Sequence, residues 1–255
     1  MKHNEPSLVS RRNFVALFSA AFAGMIYLIS TGVDLNAAET TAENAIRVAC
    51  VGDSITFGFG IKDRQRDCYP IVLGRLLGSG WEVRNFGHSG ATMLKKGNLP
   101  YDRQKEHDQA LAFKPDVVVI MLGTNDSKHR GEGSLDADKA IDNWQYKADF
   151  VPDYEELIAE FRKANPQVKV YVCLPTPCFP GRWGINGKTI HDEINPMVRQ
   201  VAKDTDSNII DLDAALAGKG NLFPDTVHPN AAGAKLMAEA VYLSLTGKPV
   251  PALAQ

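Results

Sequence analysis

From residue 46 onward, short apolar runs alternate with helical patterns, and this alternation constrains the fold more than any other feature. The strand candidates are Ile46–Val51, Trp81–Phe86, Val117–Leu122, Val168–Leu174 and Asn208–Leu212. Between them lie helix candidates near Tyr69–Leu77, Gln104–Phe113, Val151–Ala164 and Pro196–Lys203, with a last helix at about Ala231–Ser244. VVVIML and VYVCL are continuous β-rich runs, as suits strands covered on both faces. In DYEELIAEFRKA, Tyr154, Leu157, Ile158 and Phe161 recur at helical spacing, with Asp153 as the expected cap. Five strands separated by helices predict an α/β protein with a doubly wound parallel sheet in one domain. The polar stretch from about Ser127 to Asp149 is expected to be loop with a short helix.

Open parallel sheets bind ligands beyond the carboxyl ends of their strands. The residues after each strand are therefore the site candidates. The first strand runs into Gly52-Asp53-Ser54, the second into Gly87-His88-Ser89-Gly90 and the third into Gly123-Thr124-Asn125-Asp126. Pro175-Thr176-Pro177 follows the fourth strand, and Asp225 to His228 precedes the last helix. Serine acyl transfer needs a hydroxyl, a base, a group that orients the base, and oxyanion donors. Ser54 offers the hydroxyl. Asp225 and His228, three residues apart, can share one side of a turn, with Asp225 holding the imidazole tautomer. Gly90 offers a backbone N–H and Asn125 a side-chain amide to a developing oxyanion.

Four blocks together resemble a known family, the GDSL or SGNH hydrolases. They are GDSI at Gly52–Ile55, NFGHSGATM at Asn85–Met93, GTND at Gly123–Asp126 and DTVHPN at Asp225–Asn230. They occur in the family's order, each beside an expected strand end. The resemblance implies a flavodoxin-like three-layer α/β/α fold and metal-free serine ester hydrolysis. It also implies Ser54 as nucleophile, with the Ser54 N–H, the Gly90 N–H and the Asn125 amide as oxyanion hole. Ile55 stands where many members have Leu, an apolar exchange without chemical consequence.

Rival readings sit in the same chain. GHSGA, Gly87 to Ala91, nearly matches the G-x-S-x-G nucleophile elbow, which would make Ser89 the nucleophile. Asp53, Asn125, Asp225 and His228 can be drawn as a hard-metal site. Only one of these is an imidazole, and acyl chemistry accounts for each residue, so no metal and no cofactor are expected. A non-catalytic sugar-binding module on the same fold would be expected to lose Ser54 or His228. Dinucleotide binding lacks its G-x-G-x-x-G after the first strand. Net charge is −2 and no Lys/Arg stripe follows the N-terminus, which argues against nucleic acid as a partner. His107, His129 and His191 lie in polar stretches and are expected to be solvated.

The first 38 residues read as an export segment. Arg11-Arg12 precede an uncharged stretch from Asn13 to Val33, then small residues at Ala37-Ala38. Ser10 to Val15 resembles a twin-arginine signal, although Val15 and Ala16 replace its usual Leu and Lys. The alternative is a retained anchor, which alone would bring the protein to a membrane. In both readings residues 39–255 form the catalytic domain, outside the cytoplasm and either periplasmic or extracellular. Cys50 and Cys173 fall in strand candidates and read as core residues, whereas Cys68 and Cys178 fall in loops and could pair as a disulfide in an oxidising compartment.

For substrate, the segments that overhang the strand ends are polar. The first carries Lys128, His129, Arg130, Asn143 and Trp144, and the second carries Arg182 and Trp183. A long acyl chain needs an apolar groove, because each buried CH₂ contributes about 0.8 kcal/mol. Aromatic faces beside Arg, Asn or Lys suit sugar rings. The expected substrate is therefore a small-molecule or glycan ester with a short acyl group, acetate on carbohydrate first. Trp144, Arg182 and Trp183 are its candidate contacts, and a lipid esterase of the lysophospholipase or thioesterase type is the alternative.

Overall fold

The computed structural model describes residues 45–130, 132–136 and 141–252. Five strands form one sheet: β1 (Ile46–Gly52), β2 (Trp81–Gly87), β3 (Val117–Met121), β4 (Lys169–Leu174) and β5 (Asn208–Asp211). Their order is β2-β1-β3-β4-β5, and every neighbouring pair is parallel. The principal helices are α1 (Ser54–Phe57), α2 (Tyr69–Leu77), α3 (Lys105–Ala112), α4 (Phe150–Ala164), α5 (Asn195–Asp204) and α6 (Ala231–Thr246). This is the doubly wound α/β/α architecture expected of SGNH hydrolases, with strand limits within a residue of those expected.

Period-two alternation along the strands feeds two cores. Ala49, Val51, Val118, Ile120 and Val172 face a layer containing Tyr154, Leu157 and Ile158 of α4 and Val198 of α5. Val48, Cys50, Val117, Val119 and Met121 face the opposite layer, which holds Val72 and Leu73 of α2 and Met237 and Val241 of α6. Both faces of β1 and β3 are thus covered, which is why their sequences are continuously apolar.

Three expectations change. Asp153 is not the cap of α4, which starts three residues earlier at Phe150; its carboxylate instead accepts the Lys95 N–H at 2.8 Å. His107 is not solvated. It is 6% exposed, with Nε2 2.7 Å from Glu160 and Nδ1 3.2 Å from Asp108. Cys68 and Cys178 do not pair; both are free thiols, Cys68 beside Asn85 Nδ2 and Cys178 packed against Gly187. The export-segment reading falls on residues 1–38, outside the described residues. Among the described residues, no helix is long and apolar enough to cross a membrane.

The sheet order reverses between β1 and β3, because β1 lies between β2 on one side and β3 on the other. A crevice opens at such a point, and two site candidates, Ser54 and Asn125, follow these two strands. Gly87 lets the β2 end close against α1: a Cβ there would lie 2.3 Å from Phe57 N, a backbone atom that cannot yield.

Candidate active site

The GDS turn is set by a cap. Asp53 is fully buried, and its Oδ1 accepts the Ile55 N–H at 2.9 Å, so α1 begins at Ser54. Aspartate favours this position because its short acceptor satisfies an orphan N–H of the first turn. The Ser54 hydroxyl meets the imidazole, with Oγ 2.8 Å from His228 Nε2. Its own N–H bonds no other group among the described residues.

His228 is held by the loop in front of α6. Asp225 Oδ1 accepts the N–H groups of Val227 at 3.0 Å and His228 at 2.7 Å, folding the intervening residues into a tight turn. Asp225 Oδ2 lies 2.8 Å from His228 Nδ1, so one carboxylate fixes both the backbone and the ring. Two residues on, Asn230 caps α6 through the N–H groups of Ala232 and Gly233. Thr226 has φ +72°, a left-handed conformation unusual for a β-branched residue. Strain of this kind persists only where the surroundings impose it, and here the Asp225 turn does so.

The other two oxyanion candidates line the same cleft as Ser54. Gly90 has φ +86°, which glycine adopts without cost, and its N–H bonds no other group among the described residues. Asn125 is 2% exposed, and its Nδ2 donates to Ala91 O at 3.1 Å. Its contact with Asp53 Oδ2 is longer, at 3.4 Å, so one amide hydrogen is firmly held and the other is weakly engaged. Asn143 Nδ2 donates to the Asn125 carbonyl at 2.9 Å and to Asn98 Oδ1 at 2.8 Å, tying the polar overhang to this loop. Asp126 is buried and takes the N–H groups of Met93 and Leu94, which fixes the segment just after Gly90.

A cleft of about 220 Å³ opens above these groups, with Ser54, Gly90, Asn125 and His228 in its lining. Lys128, Ser89, Ile185 and two exposed aromatic residues complete it. Phe59 and Trp183 flank the imidazole, with ring centroids 4.6 Å and 5.5 Å from that of His228. Of the sequence candidates for substrate contact, only Trp183 reaches the cleft. Arg182 is exposed and stacks over Trp183 at 5.4 Å. Trp144 lies elsewhere: it is 6% exposed, packs edge-on to Phe150 and donates its indole N–H to Glu193 at 3.1 Å. Its indole N–H found a partner on the helical stretch before α5, which drew the ring into the core rather than over the site. Ser89 lines the cleft, but the imidazole reaches Ser54 and not Ser89. Phe59 was not visible as a candidate. It sits between Gly58 and Gly60, both at positive φ, and an aromatic residue between two such glycines is the signal that marks it as turned outward.

Electrostatics suit a neutral base beside an ionised orienter. Burial pushes the His228 pKa down from 6.5; Asp225 opposes this, Lys128 adds to it, and the net shift is downward. Burial would raise Asp225, but hydrogen bonds from His228 and the Val227 N–H outweigh it and hold the carboxyl below its usual value. The neutral imidazole is the form that can accept the Ser54 proton. The acid limb of kcat/KM should therefore rise through a midpoint below 6.5, and a pH profile of the free enzyme measures it. A midpoint well above that value would mean that His228 is not the group that titrates. Among the described residues, no group of three or more His, Cys, Asp or Glu is placed to hold a metal ion.

Comparison with known proteins bears on the same region. The GDSL-like Lipase/Acylhydrolase family model matches residues 50–236. An acetylxylan esterase of Xylanibacter ruminicola is 45% identical over 217 residues, which are 78% of this chain and 43% of that protein. A cellulase/esterase, CelE, of Acetivibrio thermocellus is 22% identical over 226 residues, 79% of this chain and 25% of that protein. The chain thus spans less than half the length of these curated relatives. Among solved structures, the carbohydrate acetylesterase Est24 of Sinorhizobium meliloti superposes with a TM-score of 0.59 at 21% identity, covering 79% of this chain and 98% of that one. The inhibitor-bound aryl esterase of M. smegmatis superposes at 0.63 with 20% identity, covering 80% and 99%; at such identities the likeness is one of fold. With four motif blocks converging on one cleft and a family model spanning most of the described residues, the chain belongs to the GDSL-like lipase/acylhydrolase family of ester hydrolases.

Proposed function

We propose that the protein is a serine esterase that removes short acyl groups, acetyl first, from carbohydrate outside the cytoplasm. The observation that carries the reading is the Ser54–His228–Asp225 relay, with distances of 2.8 Å at both links, opening into a cleft whose His228 side is aromatic. In the first step Ser54 Oγ bonds to the ester carbonyl carbon while His228 Nε2 takes the hydroxyl proton. The carbonyl oxygen becomes an oxyanion and meets the N–H groups of Ser54 and Gly90 and the Asn125 amide. The imidazolium, held by Asp225, then gives its proton to the departing alkoxide, leaving an acyl-serine. A water molecule repeats the sequence: His228 takes its proton, its oxygen adds to the acyl carbon, and Ser54 leaves with the proton returned.

This proton route places the two halves of the substrate. The departing alcohol must lie beside His228, which protonates it, and the carbonyl oxygen lies on the Gly90–Asn125 side. The alcohol therefore meets Phe59 and Trp183, which are 46% and 44% exposed, flat surfaces that suit the C–H faces of a sugar ring. Away from the two aromatic rings the cleft is lined by Ser89, Gly90, Lys128 and one aliphatic residue, Ile185, which is no apolar run for a long chain. The acetylxylan esterase relative supports the same substrate class. The twin-arginine-like segment supports export.

Truncating Trp183 or Phe59 to Ala should raise KM for an acetylated oligosaccharide by about two- to tenfold, the worth of one stacked aromatic contact. The loss should be larger on the saccharide than on ethyl acetate, and steady-state kinetics on both substrates checks it. The decisive test of the class is kcat/KM on an acetylated xylo-oligosaccharide against an octanoyl ester. A preference of tenfold or more for the long chain, about 1.4 kcal/mol, overturns the carbohydrate reading in favour of a lipid esterase.

A further inference from the structure

Among the described residues, Lys128 is the one formally charged side chain lining the cleft at neutral pH, besides the titratable His228. It is partly buried, and among the described residues its ammonium has no carboxylate within salt-bridge distance and no hydrogen-bond acceptor. Lys95, Lys96, Lys147 and Lys188 are paired with Glu156, Asp149, Glu193 and Asp192, whereas Lys128 meets the cleft without such a partner. Arg182, also without a carboxylate partner among the described residues, lies over the Trp183 ring at 5.4 Å. The carboxylates on these elements are engaged elsewhere. Asp225 serves His228, and Asp136 accepts the Gly184 N–H at 2.9 Å and the Ser134 hydroxyl at 3.2 Å. Beneath the cleft, the buried Asp53 and Asp126 act on Lys128 from beyond salt-bridge distance; Asp53 accepts the Ile55 N–H, Asp126 accepts the N–H groups of Met93 and Leu94, and burial raises both carboxyls, to about 7 and about 6.

We propose that Lys128, with Arg182 at the rim, reads an anionic group on the substrate, so that the preferred ester is an acetylated saccharide carrying a carboxylate such as a uronate. The physical case is desolvation. A cation drawn partly out of water and left without a partner costs free energy, and a bound carboxylate recovers it in a medium where charges interact more strongly than in bulk. Lys128 lies in the same cleft as Phe59 and Trp183, so a sugar stacked on either ring has its ring substituents within the reach of a flexible ammonium. A neutral acetyl ester gains nothing from this charge. The selectivity arises in binding the alcohol half and leaves the acyl chemistry unchanged.

The proposal rests on the carbohydrate reading, and its test separates the two. The probes are an acetylated xylo-oligosaccharide, the same oligosaccharide bearing a glucuronate, and 4-nitrophenyl acetate, with wild type, Lys128→Met and Lys128→Arg. In wild type at low salt, kcat/KM should favour the uronate-bearing oligosaccharide by roughly five- to tenfold, and high salt should shrink that ratio. Lys128→Met should bring the ratio to within about twofold of one, and Lys128→Arg should keep most of it. Turnover of 4-nitrophenyl acetate by each variant reports that it has folded, and the ratio between the two saccharides is independent of how much active enzyme is present. Equal turnover of the two saccharides by wild type, or a preference that survives Lys128→Met, overturns the role of Lys128 and leaves the carbohydrate reading standing. Hydrolysis of the aryl acetate with neither saccharide touched overturns both.

Discussion

Ser54→Ala should lower kcat by about 10⁴- to 10⁶-fold, and adding His228→Ala should cost little more, as in serine hydrolases whose relay works as a unit. Without Oγ there is no bond to the acyl carbon, so the base has no nucleophile to activate. Without Nε2 the hydroxyl keeps its proton, at 2.8 Å from where the base stood. Either loss removes the same event, so their free-energy costs cannot add. Folding should survive both changes, because Ser54 contributes no cap: Asp53 holds the start of α1 and Asn230 the start of α6. Ser89→Ala is the informative comparison, since Ser89 shares the cleft but not the bond to the imidazole. Burst kinetics with an aryl acetate and denaturation midpoints for each variant supply the measurements. A Ser54→Ala enzyme at wild-type rate, with Ser89→Ala dead, would move the nucleophile to the elbow-like GHSGA segment. A double variant many orders slower than either single one would show that the two residues act independently.

How legible all this was depended on the distance over which a signal acts. The strands could be read because covered parallel strands need continuous apolar side chains, and the motif blocks because each lies at a strand end. The Asp225 and His228 pairing is local, three residues within one turn, and so could be inferred from spacing alone. Side-chain direction in the overhanging loops could not. Trp144 and Trp183 have similar polar neighbours, yet one is drawn inward by Glu193, 49 positions away, and the other is turned outward by a positive φ of +55°. His107 likewise reads as a polar-stretch residue until α4 brings Glu160 within 2.7 Å of it. In each case the deciding partner lies on another element. The Asp153 cap failed for a different reason: helical spacing extends N-terminally through Phe150, and a three-residue shift turned a cap into an acceptor for Lys95. The exposed Phe59 was missed because an apolar residue is read as core unless its flanking glycines are weighed.

Asn125→Ala should lower kcat by roughly 10²- to 10³-fold, about 2.7–4 kcal/mol of transition-state stabilisation, while KM for a short acetyl ester moves by less than about threefold. In the proposed mechanism the amide serves the charge that develops rather than the ground-state ester. Ala91 O holds one hydrogen at 3.1 Å, and the other has only a 3.4 Å contact with Asp53 to give up when an oxyanion arrives. Because Asn125 is 2% exposed and already held by Ala91 O, little reorganisation of the amide offsets the gain. Asn125→Asp, nearly the same shape, should be no better than Ala. It places a second carboxyl beside Asp53 and repels the oxyanion it should stabilise. Structural damage has its own signature: Ala91 O would lose its donor, a net cost of about 1 kcal/mol, lowering Tm by about 2–4 °C in a chain of this size. A kcat loss of two to three orders accompanied by so small a thermal shift therefore isolates the electrostatic role. If KM rises instead and kcat holds, Asn125 binds the substrate in its ground state, and the oxyanion is left to the N–H groups of Ser54 and Gly90.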